Sequence, residues 1–264
     1  MEKPDLVLVH SFYANSTLLR GMIEYLEDFF RVYFIDLPGF AADAPPLARV
    51  TIENFSRHVE RRIEELGLKS YILCGISFGF LVACGVGHDR GCLGLAAIVP
   101  YLDARSLKLG WKKRLAYALV TKSAVRFGPA AEALWRSKLV RSFATWYSVY
   151  PPERVDVIFA EMDPGTFFRT GKLILEHRAP FPFRNKPTAL ILSDQDGTIA
   201  NDRVREAFAK NLPELLIVNT SLEHYPVRLD KEHFRGRFPP ADIERIVRFF
   251  ESKRPRPEAD PRHP

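Results

Sequence analysis

Six short apolar runs, rich in β-branched residues, alternate with amphipathic helical segments along most of the chain. This alternation is typical of successive βα units, because a parallel strand is buried on both faces and is reached through a helix. At 264 residues and 47% hydrophobic composition, the chain can bury a full α/β core. The sequence therefore predicts a mostly parallel sheet of about six strands flanked by helices. The predicted strands are residues 5–10, 31–36, 70–75, 94–100, 188–193 and 214–219.

The alternation stops between residues 104 and 186, where strand signals disappear and the pattern becomes helical. A segment this long is too large for a loop, so residues 104–186 are predicted to form an inserted helical cap. Residues 1–103 and 187–253 would then form the core, and the proline-rich, charged residues 254–264 a disordered tail. The predicted cap has sixteen basic and six acidic residues, a net charge of +10. The whole chain carries +6, so the remainder carries −4.

Composition narrows the class of protein further. Cys74, Cys84 and Cys92 are an odd number and lie in apolar surroundings without metal-ligand spacing, so we expect neither a disulfide framework nor a zinc site. No cofactor is expected. The N-terminus lacks the apolar core of a secretory signal, and the longest apolar run is shorter than the roughly 18 residues that span a membrane. We therefore expect a soluble, cytoplasmic protein. No nucleic-acid reading motif accompanies the basic charge, so nucleic acid is not an expected partner.

The segment GISFG, residues 75–79, places one serine between two glycines, after a predicted strand and before a predicted helix. In a G-x-S-x-G turn the chain bends so sharply that a Cβ atom at Gly75 or Gly79 would clash. Ser77 would be held in a strained backbone conformation with its hydroxyl clear of the sheet. The helix N-terminus would offer N–H groups to a developing oxyanion. Although glycine and serine are also common in plain tight turns, this context predicts a nucleophile.

A serine hydroxyl needs a base, and the base needs an acid that orients it. In this arrangement the acid follows a later strand and the histidine follows the last strand. Asp196 lies just beyond the predicted strand 188–193, and His224 lies just beyond the predicted strand 214–219. The chain order therefore predicts a catalytic triad of Ser77, His224 and Asp196.

Other residues compete for both supporting roles. Asp194 lies two residues from Asp196, and Asp103 also follows a predicted strand, so both remain alternative acids. Four other histidines are less well placed, because they lie in a charged run or in or beside predicted helices. They are His58, His88, His177 and His233.

The loop after the first strand, HSFYANS, residues 10–16, is expected to supply the second half of an oxyanion hole. The backbone N–H of Phe12 would then face the same space as the backbone N–H of Phe78. The side chain of His10 is predicted to be an internal hydrogen-bonding residue that shapes this loop. The same loop also fits a plain strand-to-helix connection in which Asn15 or Ser16 caps the helix.

Together these motifs resemble those of the α/β-hydrolase superfamily, over nearly the whole chain. HSFYAN is similar to the family's oxyanion loop, DLPGFAAD (36–43) to the loop after its next strand, GISFG to its nucleophile elbow, SDQD (193–196) to its acid loop and EHYP (223–226) to its histidine loop. The resemblance implies an α/β-hydrolase fold with an inserted cap, a triad of Ser77, His224 and Asp196, and backbone donors at Phe12 and Phe78. Metal ions have no role in this arrangement.

The sequence departs from the family pattern at three positions. Ser11, Phe80 and Glu223 stand where the family usually has glycine. These side chains narrow the space around the oxyanion loop and the elbow helix, so they bear on activity more than on fold. The family's usual first two strands also have no counterpart in the predicted sheet.

The resemblance implies a serine hydrolase that cleaves a small carboxylic ester or thioester through an acyl-enzyme. Relatives use the same triad for C–C bond hydrolysis and lyase chemistry, which is one alternative. A non-catalytic binding protein with this fold is an alternative of another class, suggested by Ser11 and Glu223. The basic excess of the predicted cap is most often a solvated face, but it also fits an anionic substrate, an acidic carrier or a membrane surface.

The predicted cap is also rich in aromatic residues. At helical spacing most of them are expected to pack the cap itself, and a minority to line an acyl pocket. They are Trp111, Tyr117, Phe127, Trp135, Phe143, Trp146, Tyr147, Phe167 and Phe168.

Overall fold

The computed structural model describes residues 3–87, 91–135, 137–138, 142, 152–224, 226 and 228–253. The predicted tail, residues 254–264, lies outside them, as do His88 and the predicted cap aromatics Phe143, Trp146 and Tyr147. Six strands form one parallel sheet in the order β2-β1-β3-β4-β5-β6, which confirms the predicted fold class. They are β1 (Asp5–Val9), β2 (Arg31–Ile35), β3 (Tyr71–Ile76), β4 (Cys92–Ile98), β5 (Thr188–Ser193) and β6 (Leu215–Thr220).

Ten helices lie among the described residues. Thr51 caps the second of them by accepting the Asn54 N–H on its hydroxyl at 3.2 Å. The helices are α1 (Ser16–Leu26), α2 (Ile52–Leu66), α3 (Phe78–Cys84), α4 (Trp111–Arg126), α5 (Gly128–Trp135), α6 (Pro152–Glu161), α7 (Pro164–Glu176), α8 (Asn201–Asn211), α9 (Lys231–Arg237) and α10 (Pro240–Glu251). Helices α4 to α7 belong to the predicted cap segment. None of the helices described has both the length and the apolar character needed to cross a bilayer.

The core has two layers because alternate strand residues point to opposite faces of the sheet. On one face Leu6 and Leu8 belong to an apolar cluster that includes side chains of α1, α9 and α10. On the other face Val7 and Val9 belong to a cluster with side chains of α2, α3 and α8. Every residue of β1 is buried, as expected for a strand covered on both faces.

The strand order reverses between β1 and β3. The chain passes from β1 to β2 at one edge of the sheet, and the later strands add on the other side of β1. The carboxyl ends of β1 and β3, where Val9 pairs with Gly75, therefore flank a crevice of the kind in which open α/β sheets bind ligands. Because all strands are parallel, the loops after β5 and β6 lie at the same edge of the sheet as this crevice.

The corner between α6 and α7 docks on this edge. Glu161 accepts hydrogen bonds from the side chains of Asn15 and Thr17, at 2.8 and 3.1 Å, near the start of α1. The Asp163 N–H donates to the Gly39 carbonyl at 2.8 Å. These bonds place the α6–α7 corner against the loops that follow β1 and β2.

Gly21 provides a test of the packing of α1. A Cβ atom at Gly21 would lie 2.1 Å from the Leu229 carbonyl oxygen, in the segment that leads into α9. We expect Gly21→Ala to lower the free energy of unfolding by about 1–3 kcal/mol, because this overpacking outweighs the helix preference of alanine. Gly236→Ala in α9 is the control, since nothing lies within 4 Å of its added Cβ atom. Equal urea midpoints for the two variants would contradict this packing.

Candidate active site

Ser77 lies at the turn between β3 and α3, in a conformation that L-residues rarely adopt, with φ 50° and ψ −115°. Its N–H donates to the Ile98 carbonyl at 2.9 Å, and its carbonyl accepts the Tyr101 N–H at 3.2 Å. Both partners lie at or just after the end of β4. The neighbouring strand therefore holds the strained serine in place.

The two glycines of this turn are required by backbone contacts. A Cβ atom at Gly75 would lie 2.3 Å from the Phe80 Cα atom and 2.7 Å from the carbonyl carbon of Gly79. A Cβ atom at Gly79 would lie 2.3 Å from the carbonyl oxygen of His10 and 2.5 Å from that of Val9. The turn is therefore crowded as its sequence predicts, and α3 packs directly on the end of β1.

The three residues predicted to form a triad lie in one hydrogen-bonded chain. The Oγ atom of Ser77 lies 3.3 Å from Nε2 of His224, and Nδ1 of His224 lies 2.7 Å from Oδ2 of Asp196. If Nδ1 carries the imidazole proton and donates it to Asp196, Nε2 is left to accept from the serine hydroxyl. The side chain of His224 is 5% exposed and that of Asp196 is fully buried.

Asp196 is suited to orient the imidazole because its other oxygen is also satisfied. Its Oδ1 atom accepts the N–H groups of Thr198 and Ile199, at 2.6 and 2.9 Å. Burial is the largest single influence and raises the pKa of Asp196. The hydrogen bond and charge of His224, with the two backbone donors, outweigh it and hold the pKa below its ordinary value. The carboxyl group is therefore ionised at neutral pH.

Sequence reasoning missed the segment that fixes the acid loop. Leu107 forms an isolated antiparallel bridge with Ile199, and the Lys108 N–H donates to the Thr198 carbonyl at 2.7 Å. The ammonium group of Lys108 donates to the Asp196 carbonyl at 2.9 Å. This pairing joins two loops about ninety residues apart in the chain, so no local pattern signals it.

The two alternative acids are placed differently from Asp196. Oδ1 of Asp103 accepts the N–H groups of Arg105 and Ser106 at 2.8 and 2.9 Å, and its Oδ2 lies 3.0 Å from the Arg203 guanidinium. Asp194 is exposed. The structure therefore brings Asp196 to His224, while Asp103 caps its own loop.

His10 is the internal hydrogen-bonding residue that the sequence predicts. It is fully buried, its Nδ1 lies 2.7 Å from the Ser11 carbonyl, and its Nε2 accepts the Leu37 N–H at 2.8 Å. Burial lowers the pKa of His10, although Asp36 and the Ser11 carbonyl act to raise it. A neutral His10 with its proton on Nδ1 therefore joins the loops after β1 and β2.

The expected oxyanion donors lie at the start of α3 and in the loop after β1. Phe78 is the first residue of α3, so its N–H has no carbonyl partner within the helix. Phe12 lies in the turn after β1, next to Tyr13, which has a positive φ of 65°. Asn15 also caps α1, with its side-chain oxygen 3.0 Å from the Leu18 nitrogen. The loop thus supplies the N-cap residue of α1 and is also a candidate oxyanion loop.

Glu223 and Phe80, two of the three residues that depart from the family pattern, each contact specific side chains. The carboxylate of Glu223 lies 3.0 Å from Nε2 of His233 and 3.2 Å from the Arg237 guanidinium, both in α9. Phe80 is buried and stacks on Phe181, with ring centroids 5.7 Å apart. Glu223 is therefore held by an ion pair with Arg237 and a hydrogen bond with His233, and Phe80 is part of the core.

Arg154 of α6 links the loop after β1 to the loop that carries His224, and sequence reasoning did not single it out. Arg154 is only 1% exposed. Its guanidinium donates to the Tyr13 carbonyl at 3.2 Å and to the Pro226 carbonyl at 3.3 Å. Tyr13 belongs to the loop after β1, and Pro226 lies two residues after His224. Because arginine in an amphipathic helix usually faces solvent, its sequence position gives no sign of this role.

The chain matches the family model described as the alpha/beta hydrolase fold over residues 4–226. The chain therefore belongs to the α/β-hydrolase family.

Particular proteins resemble the chain over different extents. It is 35% identical over 80 residues to a pimeloyl-[acyl-carrier protein] methyl ester esterase of Vibrio vulnificus (strain YJ016). That match covers 30% of this chain but only 29% of the relative. An esterase of Thermogutta terrifontis shares 18% identity at a TM-score of 0.64, covering 94% of this chain and 91% of the other. The enol-lactonase of Burkholderia xenovorans LB400 shares 16% identity at a TM-score of 0.60, covering 96% and 90%. The two structural likenesses establish the fold.

Proposed function

We propose that the protein is a serine hydrolase that cleaves a small carboxylic ester or thioester through an acyl-enzyme on Ser77. The observation that carries this proposal is the hydrogen-bonded chain from Ser77 through His224 to Asp196, with distances of 3.3 and 2.7 Å. The esterase named among its sequence relatives supports the choice of an ester as substrate.

The proposed reaction begins when Nε2 of His224 takes the Ser77 proton and Oγ bonds to the ester carbonyl carbon. The N–H groups of Phe12 and Phe78 would hold the resulting oxyanion, and Asp196 would stabilise the imidazolium. His224 then gives its proton to the departing alcohol or thiol, which leaves the acyl group on Ser77. Water then attacks the acyl-enzyme while His224 takes its proton, and His224 returns this proton to Oγ of Ser77 as the Oγ–acyl bond breaks and the carboxylic acid leaves.

An aromatic cluster of the predicted cap packs against the proposed oxyanion loop. The Phe167 ring of α7 lies 5.1 Å from the Phe12 ring and 4.7 Å from the Tyr13 ring, measured between centroids. Trp135 of α5 packs against Phe167 at 4.8 Å. Helices of the predicted cap thus contact the loop that would bind the substrate carbonyl, and we propose that they select the acyl group.

Removal of the proposed nucleophile gives the first test. Ser77→Ala is expected to lower kcat on short p-nitrophenyl esters by about 10⁵- to 10⁶-fold, because no acyl-enzyme can form. Its far-UV circular dichroism should match that of the unmodified protein. Ser56→Ala is the control, since Ser56 is equally buried but donates its hydroxyl to the Val82 carbonyl in α3. Undiminished turnover by Ser77→Ala would refute the proposal.

Three aspartate variants test the choice of acid. Asp196→Asn is expected to lower kcat about 10⁴-fold, because the amide favours the wrong tautomer of His224. Asp103→Asn and Asp194→Asn are expected to keep kcat within a few-fold, since neither carboxylate bonds to the imidazole. Steady-state kinetics on one ester at pH 7 compares all three. A large loss in Asp103→Asn together with an active Asp196→Asn would reassign the acid to Asp103.

A further inference from the structure

Helix α4 has no buried side chain, and several of its large apolar residues face solvent. Trp111 is 72% exposed and Phe127, which follows the helix, is 59% exposed. The helical spacing predicts that most aromatic residues here pack the cap itself, and Trp135 and Phe167 are indeed buried. Trp111 and Phe127 are not. We define the cationic apolar face by the exposed residues Trp111, Leu115, Leu119, Val120, Phe127 and Leu134, together with the exposed basic residues Lys112, Lys113, Lys122 and Arg126.

Most charges near this face are positive; the exceptions are the exposed Glu132 of α5 and Glu176 of α7, whose carboxylate lies 3.5 Å from Lys122. Helix α4 contains five basic residues and no acidic residue. Lys112 lies 5.7 Å from the centroid of the Trp111 ring, and Arg126 lies 5.8 Å from that of the Phe127 ring. Cations and apolar side chains are therefore interleaved rather than separated on opposite sides of the helix.

Three of the five cations lie where the helix itself disfavours them. Lys112, Lys113 and Arg114 follow one another in the first turn of α4, at the positive end of the helix dipole. The N-cap residue, Gly110, has no side chain to offset this charge. Arg114 turns inward and donates to the Ala104 carbonyl at 2.7 Å, while the two lysines are exposed. An anionic surface beside this turn would relieve the repulsion.

On its opposite side, α4 is separated from the candidate active site by one helix, α7. Helix α4 packs on α7, where a Cβ atom at Gly171 would lie 3.3 Å from the Thr121 methyl carbon. The same Cβ atom would lie 3.5 Å from the Phe12 ring of the proposed oxyanion loop. A surface that contacts the exposed side of α4 would therefore lie next to the part of the fold that covers this loop.

We propose that the cationic apolar face binds the surface of an anionic lipid bilayer. Tryptophan, leucine and phenylalanine side chains enter the interfacial layer of a bilayer, and nearby lysine and arginine side chains pair with lipid phosphates. A second copy of the chain would set like charges against each other. An acidic protein would match the cations but would place its carboxylates against Trp111, Leu115 and Leu119. The proposal does not depend on esterase activity.

The test is co-sedimentation of the full chain with lipid vesicles. Vesicles of phosphatidylcholine with one-third phosphatidylglycerol are expected to retain the protein, and vesicles of phosphatidylcholine alone are not. Added salt should weaken the retention because it screens the charges. Quenching of tryptophan fluorescence by brominated lipid should accompany binding and should decrease in Trp111→Phe. No retention by the anionic vesicles, or retention by both kinds equally, would overturn the proposal.

A charge-matched pair of variants assigns the binding to this face. Each basic side chain near an anionic surface strengthens binding about five-fold, so neutralising four should weaken it by about two orders of magnitude or more. The test variant replaces Lys112, Lys113, Lys122 and Arg126 with glutamine, and the control replaces the exposed Arg20, Arg57, Arg61 and Arg62 of α1 and α2. Equal binding by the two variants would overturn the assignment. So would binding of the unmodified chain to soluble polyglutamate without binding to vesicles.

Discussion

The close approach of α3 to the end of β1 is the contact on which the proposed site depends. It is possible only because Gly79 has no side chain, since a Cβ atom there would lie within 2.5 Å of the carbonyl oxygens of both Val9 and His10. The same approach places the first N–H of α3 near the loop after β1. Hydrogen bonds to Ile98 and Tyr101 hold Ser77 in its strained conformation next to this contact, at the crevice between β1 and β3. The steric requirement at Gly79 thus brings the start of α3 to the loop that carries the other proposed oxyanion donor.

Hydrogen bonds between neighbouring loops keep the rest of the site in register. The Ser193 hydroxyl donates to the Leu222 carbonyl, and the Thr220 hydroxyl donates to the Leu192 carbonyl at 3.0 Å. These bonds join the end of β5 to the end of β6, from which Asp196 and His224 extend. Arg154 then joins the histidine loop to the loop after β1. Side chains held in this way need little rearrangement to act together, which is the physical basis of preorganised catalysis.

The features that the sequence predicts are those set by local pattern and chain order. The six strands follow from apolar runs of the right length, and Gly75, Ser77 and Gly79 follow from the steric demands of one turn. Asp196 and His224 could be named because residues at the carboxyl ends of parallel strands share one edge of the sheet. The bridge from Leu107 to Ile199 and the buried position of Arg154 could not be predicted, because both depend on contacts between distant segments.

The central claim is that Ser77 is activated by His224, and reaction with a fluorophosphonate tests it most directly. The reagent loses fluoride to an activated serine and leaves a phosphonyl group that intact-protein mass spectrometry detects. We predict one adduct per chain, located by peptide mapping at Ser77 and absent from His224→Ala. A folded protein that remains unlabelled, or that is labelled at another residue, would contradict the account.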